Sequence, residues 1–404
     1  MTKSELLKKY NEPRFTAAIE RFFALYPDRR DARLFSAPGR TEVGGNHTDH
    51  NHGRVLAAAV DLDALAVAAP RTDDEIHLYS EGFGPITASC APSDPDPALF
   101  GTPQSLLTGT ANALRRRGFK VGGFDAYVES RVLPGSGLSS SAAFEVLAAE
   151  IENALYADSA ASAVTMAQCA QEAENVYFGK PCGLMDQTAC AVGGFVAIDF
   201  EDPEKPIVRP VHFDFAHSGY ALVLTDTHAS HADLTGHYAS IPAEMKAAAQ
   251  FFGREVLRGL TMDEVMTALP ALRKAVGDRA SIRAMHFISE DIRARLEAEA
   301  LEKGDISAFL QLVRESGDSS WELLQNVIPE GLADQSLGLA LAVSKAVLAG
   351  EGACRVHGGG FAGTIQAFVP LDRCEAYIKR LDSVFGAGSA KRVGIRQEGA
   401  IELP

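Results

Sequence analysis

The stretch Gly39 to Gly53 reads GRTEVGGNHTDHNHG and holds three histidines, one aspartate and four glycines. His47, His50, His52 and Asp49 could bind a metal, and they could equally bond a polar ligand. Spacing alone allows both. It is not the H-E-x-x-H pattern, in which two histidines fall on one helical face. A strand would put His50 and His52 on one side, but no second ligand cluster accompanies them.

A second stretch, LPGSGLSSSAAFEV, covers residues 133–146. Gly135 and Gly137, on either side of Ser136, let the backbone bend tightly and approach a ligand closely. After Leu138, the run Ser139, Ser140 and Ser141 opens a helix, where unsatisfied N–H groups and the dipole favour an anion. One serine is enough for a helix cap, so three after two glycines suggest a phosphate site, with one hydroxyl able to ligate magnesium. A cap and a phosphate loop both remain open on these residues. The Gly-Lys-Ser/Thr ending of a Walker A motif is absent.

Two further stretches carry polar groups at turns. In GKPCGLMDQTACAVGG (179–194), Pro181 and Gly183 mark a turn and Asp186 opens a short helix, whose dipole favours a charged carboxylate. On the preceding helix Glu172 and Glu174 are two apart and cannot share a face, so at most one reaches a given site. In RVHGGGFAGTIQAFV (355–369), three glycines before an apolar strand imply close approach of backbone to a ligand or another segment.

The elements that position these residues read as mixed helix and strand. Helical spacing covers 14–27, 103–117, the segment after Ser141, 160–178, much of 241–348, and 372–384. Strands are expected at 33–37, 54–70, 75–80, 124–132, 194–200, 207–213, 219–225, after 363, and near 392–398. Without strict βαβ alternation the fold class is α+β. At 404 residues two domains are expected, 1–205 and 206–404, meeting near the charged connector EDPEKP.

Composition narrows the function classes. A net charge of −15 argues against a nucleic-acid partner. Six cysteines without a C-x-x-C pair read as reduced thiols, the start of the chain is not a signal peptide, and no apolar run is long enough to span a membrane. The expected location is the cytoplasm. Oligomeric state is not set by the sequence, and a monomer is compatible with it.

Taken together and in this order, APGR…GGNHTDHNHG, LPGSGLSSSAA, PCGLMDQ and HGGGFAG resemble the signature motifs of the GHMP small-molecule kinases, and within them the galactokinase family. DTHASHADLTGHYASIPAEM (226–245) is a further match, and the resemblance spans about residues 33–370. It implies a ribosomal-protein-S5-like N-terminal domain, a ferredoxin-like C-terminal domain closing over the cleft, and ATP-dependent phosphorylation of a galactose-type sugar at its anomeric hydroxyl. Arg40 and Asp186 would be catalytic. Asn46, His47, Asp49, Gly183 and Tyr238 would contact the sugar, residues 135–141 would cradle the ATP phosphates, and Ser141 with Glu174 would hold Mg2+.

The chain departs from the usual G-R-x-N-x-I-G-E-H-x-D-Y. The usual Asn is Glu42, the usual Glu is Asn46 and the usual Tyr is His50. His357 stands where Thr is frequent, and Ala362 where Gly is usual. The exchange at Asn46 removes the carboxylate expected to bond the sugar O6, so a galacturonate kinase is the alternative. A non-catalytic sugar sensor is opposed by the presence of Arg40, Asp186 and the intact serine run.

Overall fold

A computed structural model describes residues 1–132, 137–229, 234–331 and 333–404. Gly135 and Ser136 of the expected phosphate loop therefore lie outside the described residues. The framework is a long antiparallel pair, β1 (Arg33–Gly44) and β2 (Arg54–Pro70). β2 is rich in alanine and buried along most of its length, as suits a strand covered on both faces. Its side chains alternate accordingly. Leu65, Val67 and Ala69 pack with Ile19 and Phe22 of α2 (Pro13–Leu25), which follows α1 (Lys3–Lys9), while Ala64, Ala66 and Ala68 join the core on the other face.

β1 runs further than the expected strand at 33–37. Pairing shifts at Pro38/Arg40 and Glu42/Gly44 absorb the proline and glycine, so the strand carries on through what the sequence presents as loop. Between these shifts Arg40, Thr41 and Glu42 pair regularly with Ala59, Ala58 and Ala57. Arg40 and Glu42 therefore point to one face, and Thr41 points away to bond Gln366 at 3.1 Å.

The remaining strands of this sheet are β3 (Glu75–Ser80), β4 (Gly84–Ser89), β5 (Phe124–Ser130), β6 (Phe195–Asp199) and β7 (Ile207–Val211). β4 is missed by the sequence reading, because its buried positions are only Ile86 and Ala88 between turn formers. The helices of this half are α3 (Pro103–Arg116), α4 (Ser140–Tyr156), α5 (Ala163–Glu172) and α6 (Met185–Val192). α4 and α6 pack against both β1 and β2.

β8 (Tyr220–Asp226) begins a second sheet. Four long helices follow: α7 (Thr235–Phe251), α8 (Met262–Val276), α9 (Asp278–Glu302) and α10 (Ile306–Ser319). Then come α11 (Ser336–Leu348), β9 (Ala353–Val356), β10 (Thr364–Pro370), α12 (Cys374–Phe385) and β11 (Ala390–Val393). The order β11-β8-β10-β9, all antiparallel, with a helix after β8 and another after β10, is ferredoxin-like. Ala221 and Val223 face α11 and α12, and Leu222 and Leu224 face the large core shared with the first sheet.

The boundary expected at 205 falls in the turn between β6 and β7, which pair as a hairpin. The first sheet thus extends to Val211 and also recovers the chain end as β12 (Ile401–Glu402), paired with β1. Of the strand expected near 392–398, only Arg392 and Val393 belong to β11, and the segment beyond them runs to β12 with a single bridge from Ile395 to Val60. Gly399 sits so close to Ala191 that a Cβ would lie 2.0 Å from its carbonyl oxygen, so the two backbones meet there only with glycine.

Candidate functional site

Arg40 and Asp186 meet where the two halves face each other. Arg40 Nε donates to Asp186 Oδ1 and Nη2 to Oδ2, each at 2.7 Å, a bidentate fork. The third arm, Nη1, donates to Gly137 O at 2.5 Å. Asp186 sits in the first turn of α6, where the dipole favours its charge. Burial opposes ionisation, but Arg40 and the Ser139 hydroxyl outweigh it and hold the Asp186 carboxyl below its ordinary range.

Ser139 is the residue before α4, with φ of 60°, and its side chain makes no capping bond. Its hydroxyl donates to Asp186 Oδ2 at 2.6 Å. The cap reading of this serine is thereby displaced. Ser139, Ser140 and Ser141 line a cavity of about 320 Å³ together with Arg40, Lys180, Asp186, Tyr238 and the 357–360 turn. Leu138 is buried, and its carbonyl accepts from the Arg40 backbone N–H at 3.0 Å.

On the wall of this cavity Ser141 Oγ lies 3.4 Å from Glu174 Oε1. Glu174 falls in a π-helical turn, Ala173–Tyr177, that continues α5 and separates it from Glu172. Glu172 pairs with Arg116 and Arg117 instead. Glu145, one helical turn beyond Ser141 on the same face of α4, lies behind them. Gln187 Nε2 bridges the two carboxylates, at 2.9 Å from Glu174 and 3.3 Å from Glu145. Burial and the neighbouring Glu174 push the Glu145 carboxyl well up, and its Oε1 has no partner. Two crowded carboxyls beside a serine hydroxyl are a donor set that suits a hard divalent cation. Lys180 Nζ, 3.0 Å from Glu174, completes this wall.

A second cavity, about 170 Å³, opens on the other side of Arg40 and shares Gly358 and Gly359 with the first. Glu42, His47 and Asp49 line it. His47 is held at φ of 58° and its Nε2 lies 3.0 Å from Gly359 O. Burial, reinforced by His50, lowers its pKa to about 4, so the ring is neutral at pH 7. Asp49 starts a short helical turn, and Gly183 abuts it: a Cβ there would lie 2.6 Å from Asp49 Oδ2. Tyr238 of α7 packs on Gly359 and donates to Gly360 O at 2.8 Å.

Asn46 is placed differently from the expectation. It is fully buried, and its amide nitrogen donates to Glu42 Oε1 and Gly358 O, both at 2.8 Å. Its amide oxygen accepts from Asn326 at 2.8 Å and Ser320 at 3.3 Å. Both ends of the amide are engaged with protein, which leaves nothing for a ligand. The carboxylate in the cavity is Glu42, whose Oε1 is also held by Arg355 at 2.9 Å. The histidine-metal reading finds no support in the geometry: the 49–51 turn breaks the strand face, and no three-residue metal cluster occurs among the described residues.

Five residues of the site escaped the sequence reading as contributors. Lys180 and Gln187 flank the residues singled out around Asp186. Glu145 is signalled by its four-residue offset from Ser141. Glu42 can restore a carboxylate near position 46 in sequence, but its direction is set only by the fold, and His357 stands out only as a departure from the pattern.

Two sheets facing across a pair of joined polar cavities, with a serine-rich helix start on one side and an Arg–Asp fork at the junction, define a GHMP-type small-molecule kinase. Residues 105–194 match the GHMP kinases N terminal domain, and residues 20–70 the galactokinase galactose-binding signature. The chain is 32% identical to the galactokinase of Streptomyces coelicolor, covering 92% of this chain and 93% of that one. It is 31% identical to that of Streptomyces lividans, covering 88% and 86%. In fold it matches the Lactococcus lactis galactokinase complexed with galactose, with a TM-score of 0.78 over 95% of this chain and 98% of that one, at 24% identity. The protein belongs to the galactokinase family.

Proposed function

We propose that this protein transfers the γ-phosphoryl group of ATP to the anomeric hydroxyl of galactose, giving galactose 1-phosphate. The observation that carries the reading is the Arg40–Asp186 fork at the junction of the two cavities, between the serine-rich wall and the Glu42–His47–Asp49 wall. Phosphoryl transfer requires in-line positioning and charge stabilisation more than covalent help. The serine run at the start of α4 receives the phosphates, and Lys180 adds a cation beside them. Ser141 and Glu174, with Glu145 behind, would hold Mg2+, which supplies neutralisation of the phosphate charge.

Asp186 orients the sugar hydroxyl and Arg40 faces the growing negative charge. A carboxylate held below its ordinary range is a weak base, so the hydroxyl proton moves late, as suits a loose transition state. His47 and Asp49 line the sugar side with Gly183 against Asp49, while Tyr238, expected at the sugar, lines the phosphate-side cavity and bonds Gly360 O. Glu42, in place of Asn46, supplies the carboxylate there. A fixed carboxylate disfavours an acidic sugar, which weighs against the galacturonate alternative. The two halves act as jaws, the first sheet extending to Val211 and taking back β12. Six free cysteines fit a reducing cytoplasm, and among the described residues no helix is long and apolar enough to cross a membrane.

The test is a sugar panel with ATP and Mg2+: galactose, galacturonate, glucuronate, N-acetylgalactosamine and arabinose. Galactose is expected to turn over fastest, with the new phosphate coupled to C1 in the NMR spectrum. Turnover of no hexose, or galacturonate favoured by more than about tenfold, overturns the reading.

A further inference from the structure

The imidazole of His357 is buried between the phosphate-side cavity and β1, and one of its nitrogens has no partner among the described residues. Its Nε2 accepts a hydrogen bond from the Glu42 backbone N–H at 3.3 Å. A nitrogen that accepts carries the lone pair, so in the neutral ring the proton resides on Nδ1. That Nδ1–H is buried and, among the described residues, makes no hydrogen bond. A buried donor left unpaired is costly, and such groups in native proteins call for an explanation.

Its position supplies one. The His357 backbone is anchored by an N–H bond to Thr364 O at 3.0 Å. His357 lines the same cavity as Ser139, Ser141 and Asp186. Nδ1 faces Gly137, whose carbonyl receives the Arg40 side chain: a Cβ on Gly137 would lie 2.9 Å from that nitrogen. With no Cβ at 137, the space beside Nδ1 is left unfilled. Burial, reinforced by Arg40 and Arg355, pushes the pKa down to about 3, so the ring stays neutral and its tautomer fixed at working pH.

We propose that His357 is a catalytic residue whose Nδ1–H donates a hydrogen bond to an oxygen of the phosphoryl group in transfer, beside Arg40. This rests on the kinase reading above. A fixed neutral donor is suited to the task because it needs no reorganisation as charge shifts on the phosphoryl oxygens. It adds no net charge to a site already holding Arg40 and Lys180. Nothing is transferred to or from the ring: the proton stays on Nδ1 throughout.

Two variants separate this role from a structural one. His357→Gln places an acceptor near Nε2, keeping the Glu42 N–H bond, and deletes the Nδ1 donor. His357→Asn places a donor near Nδ1 and gives up the Glu42 bond. The expected result is that His357→Gln keeps Tm and both KM values within small changes and lowers kcat about 100-fold, as for loss of one oxyanion donor. His357→Asn should lower Tm yet keep kcat within a few-fold. Equal losses of kcat in both variants, or wild-type kcat in His357→Gln, overturn the proposal. If neither variant folds, 15N NMR of the wild-type histidine decides. Its Nδ1–H signal should shift with a non-hydrolysable ATP analogue plus Mg2+ and stay put with ADP, and an unmoved signal overturns the proposal. Wild-type protein that phosphorylates no hexose but shows this shift would remove the sugar-kinase reading and leave the His357 contact standing.

Discussion

The side-chain amide of Asn46 donates to Glu42 Oε1 at 2.8 Å, and this bond decides which of the two meets the ligand. Asn46 is enclosed, with Asn326 and Gly358 on its other sides. Glu42 shares a strand face with Arg40 and lines the sugar-side cavity, where Oε1 is the oxygen held by Arg355 and Asn46. Relative to the usual motif the carboxylate has moved from position 46 to position 42, and the amide has moved the other way.

Glu42→Gln should therefore alter sugar choice rather than abolish chemistry. Tested against singly deoxygenated galactoses, the wild type should lose about tenfold or more in kcat/KM at the hydroxyl that Glu42 binds, the scale of a hydrogen bond to a charged group. In the variant that one penalty should shrink, and galacturonate should gain relative to galactose. Equal losses across the whole series would mean that Glu42 serves only to pair Arg355.

Asp186→Asn keeps the shape of the fork but removes the charge. Turnover should fall by at least about 10³-fold, within the span of positioned acid–base groups, while galactose binding by calorimetry remains measurable. Because Asp186 is held below its ordinary range, its active ionised form persists as the pH falls. The kcat/KM profile should show no acid limb from this residue down to about pH 4.5, above the ordinary aspartate value near 4. A limb centred near pH 6 in the wild type that disappears in Asp186→Asn would contradict the assignment.

Glu174→Gln should raise the Mg2+ concentration needed for half-maximal rate by about tenfold or more, since a ligating carboxylate contributes charge that an amide lacks. Glu145→Gln should have a smaller effect in the same direction, because Glu145 lies behind Glu174 rather than beside Ser141. The measurement is initial rate against free Mg2+ at saturating ATP. An unchanged Mg2+ dependence in Glu174→Gln would move the metal away from this wall.

Much of the site was legible because its residues lie in short motifs at turns and helix starts, where local sequence fixes geometry. Asp186 opens α6, and the serine run opens α4, as their glycines and spacing imply. The two-residue offset of Glu172 and Glu174 does send them to different partners. Asn46 was not legible. It follows the second of two pairing shifts in β1, and each shift changes which way later side chains point. The contacts that enclose it, from Asn326 and Ser320, come from some 280 residues further on in the chain. The same long-range dependence hid His357, whose tautomer is set by the backbone of Glu42.

The last prediction concerns stability away from the site. Glu152 of α4 is almost wholly buried; its Oε2 accepts from the Gly122 N–H at 3.1 Å, and its Oε1 has no partner. Burial raises its pKa from 4.5 to about 8. Below the unfolded value the group is protonated in both states and contributes no pH dependence. Between that value and about 8 the unfolded chain releases the proton while the folded chain keeps it, so the unfolded state gains and stability falls as pH rises. Glutamine at 152 can accept the Gly122 bond and does not ionise. Glu152→Gln should thus match the wild type in unfolding free energy near pH 4.5 and exceed it increasingly toward pH 8, by a few kcal/mol. Activity should be unchanged, because Glu152 lies outside both cavities. Urea unfolding across this range is the measurement, and a gain in unfolding free energy independent of pH would show that Glu152 ionises normally in the fold.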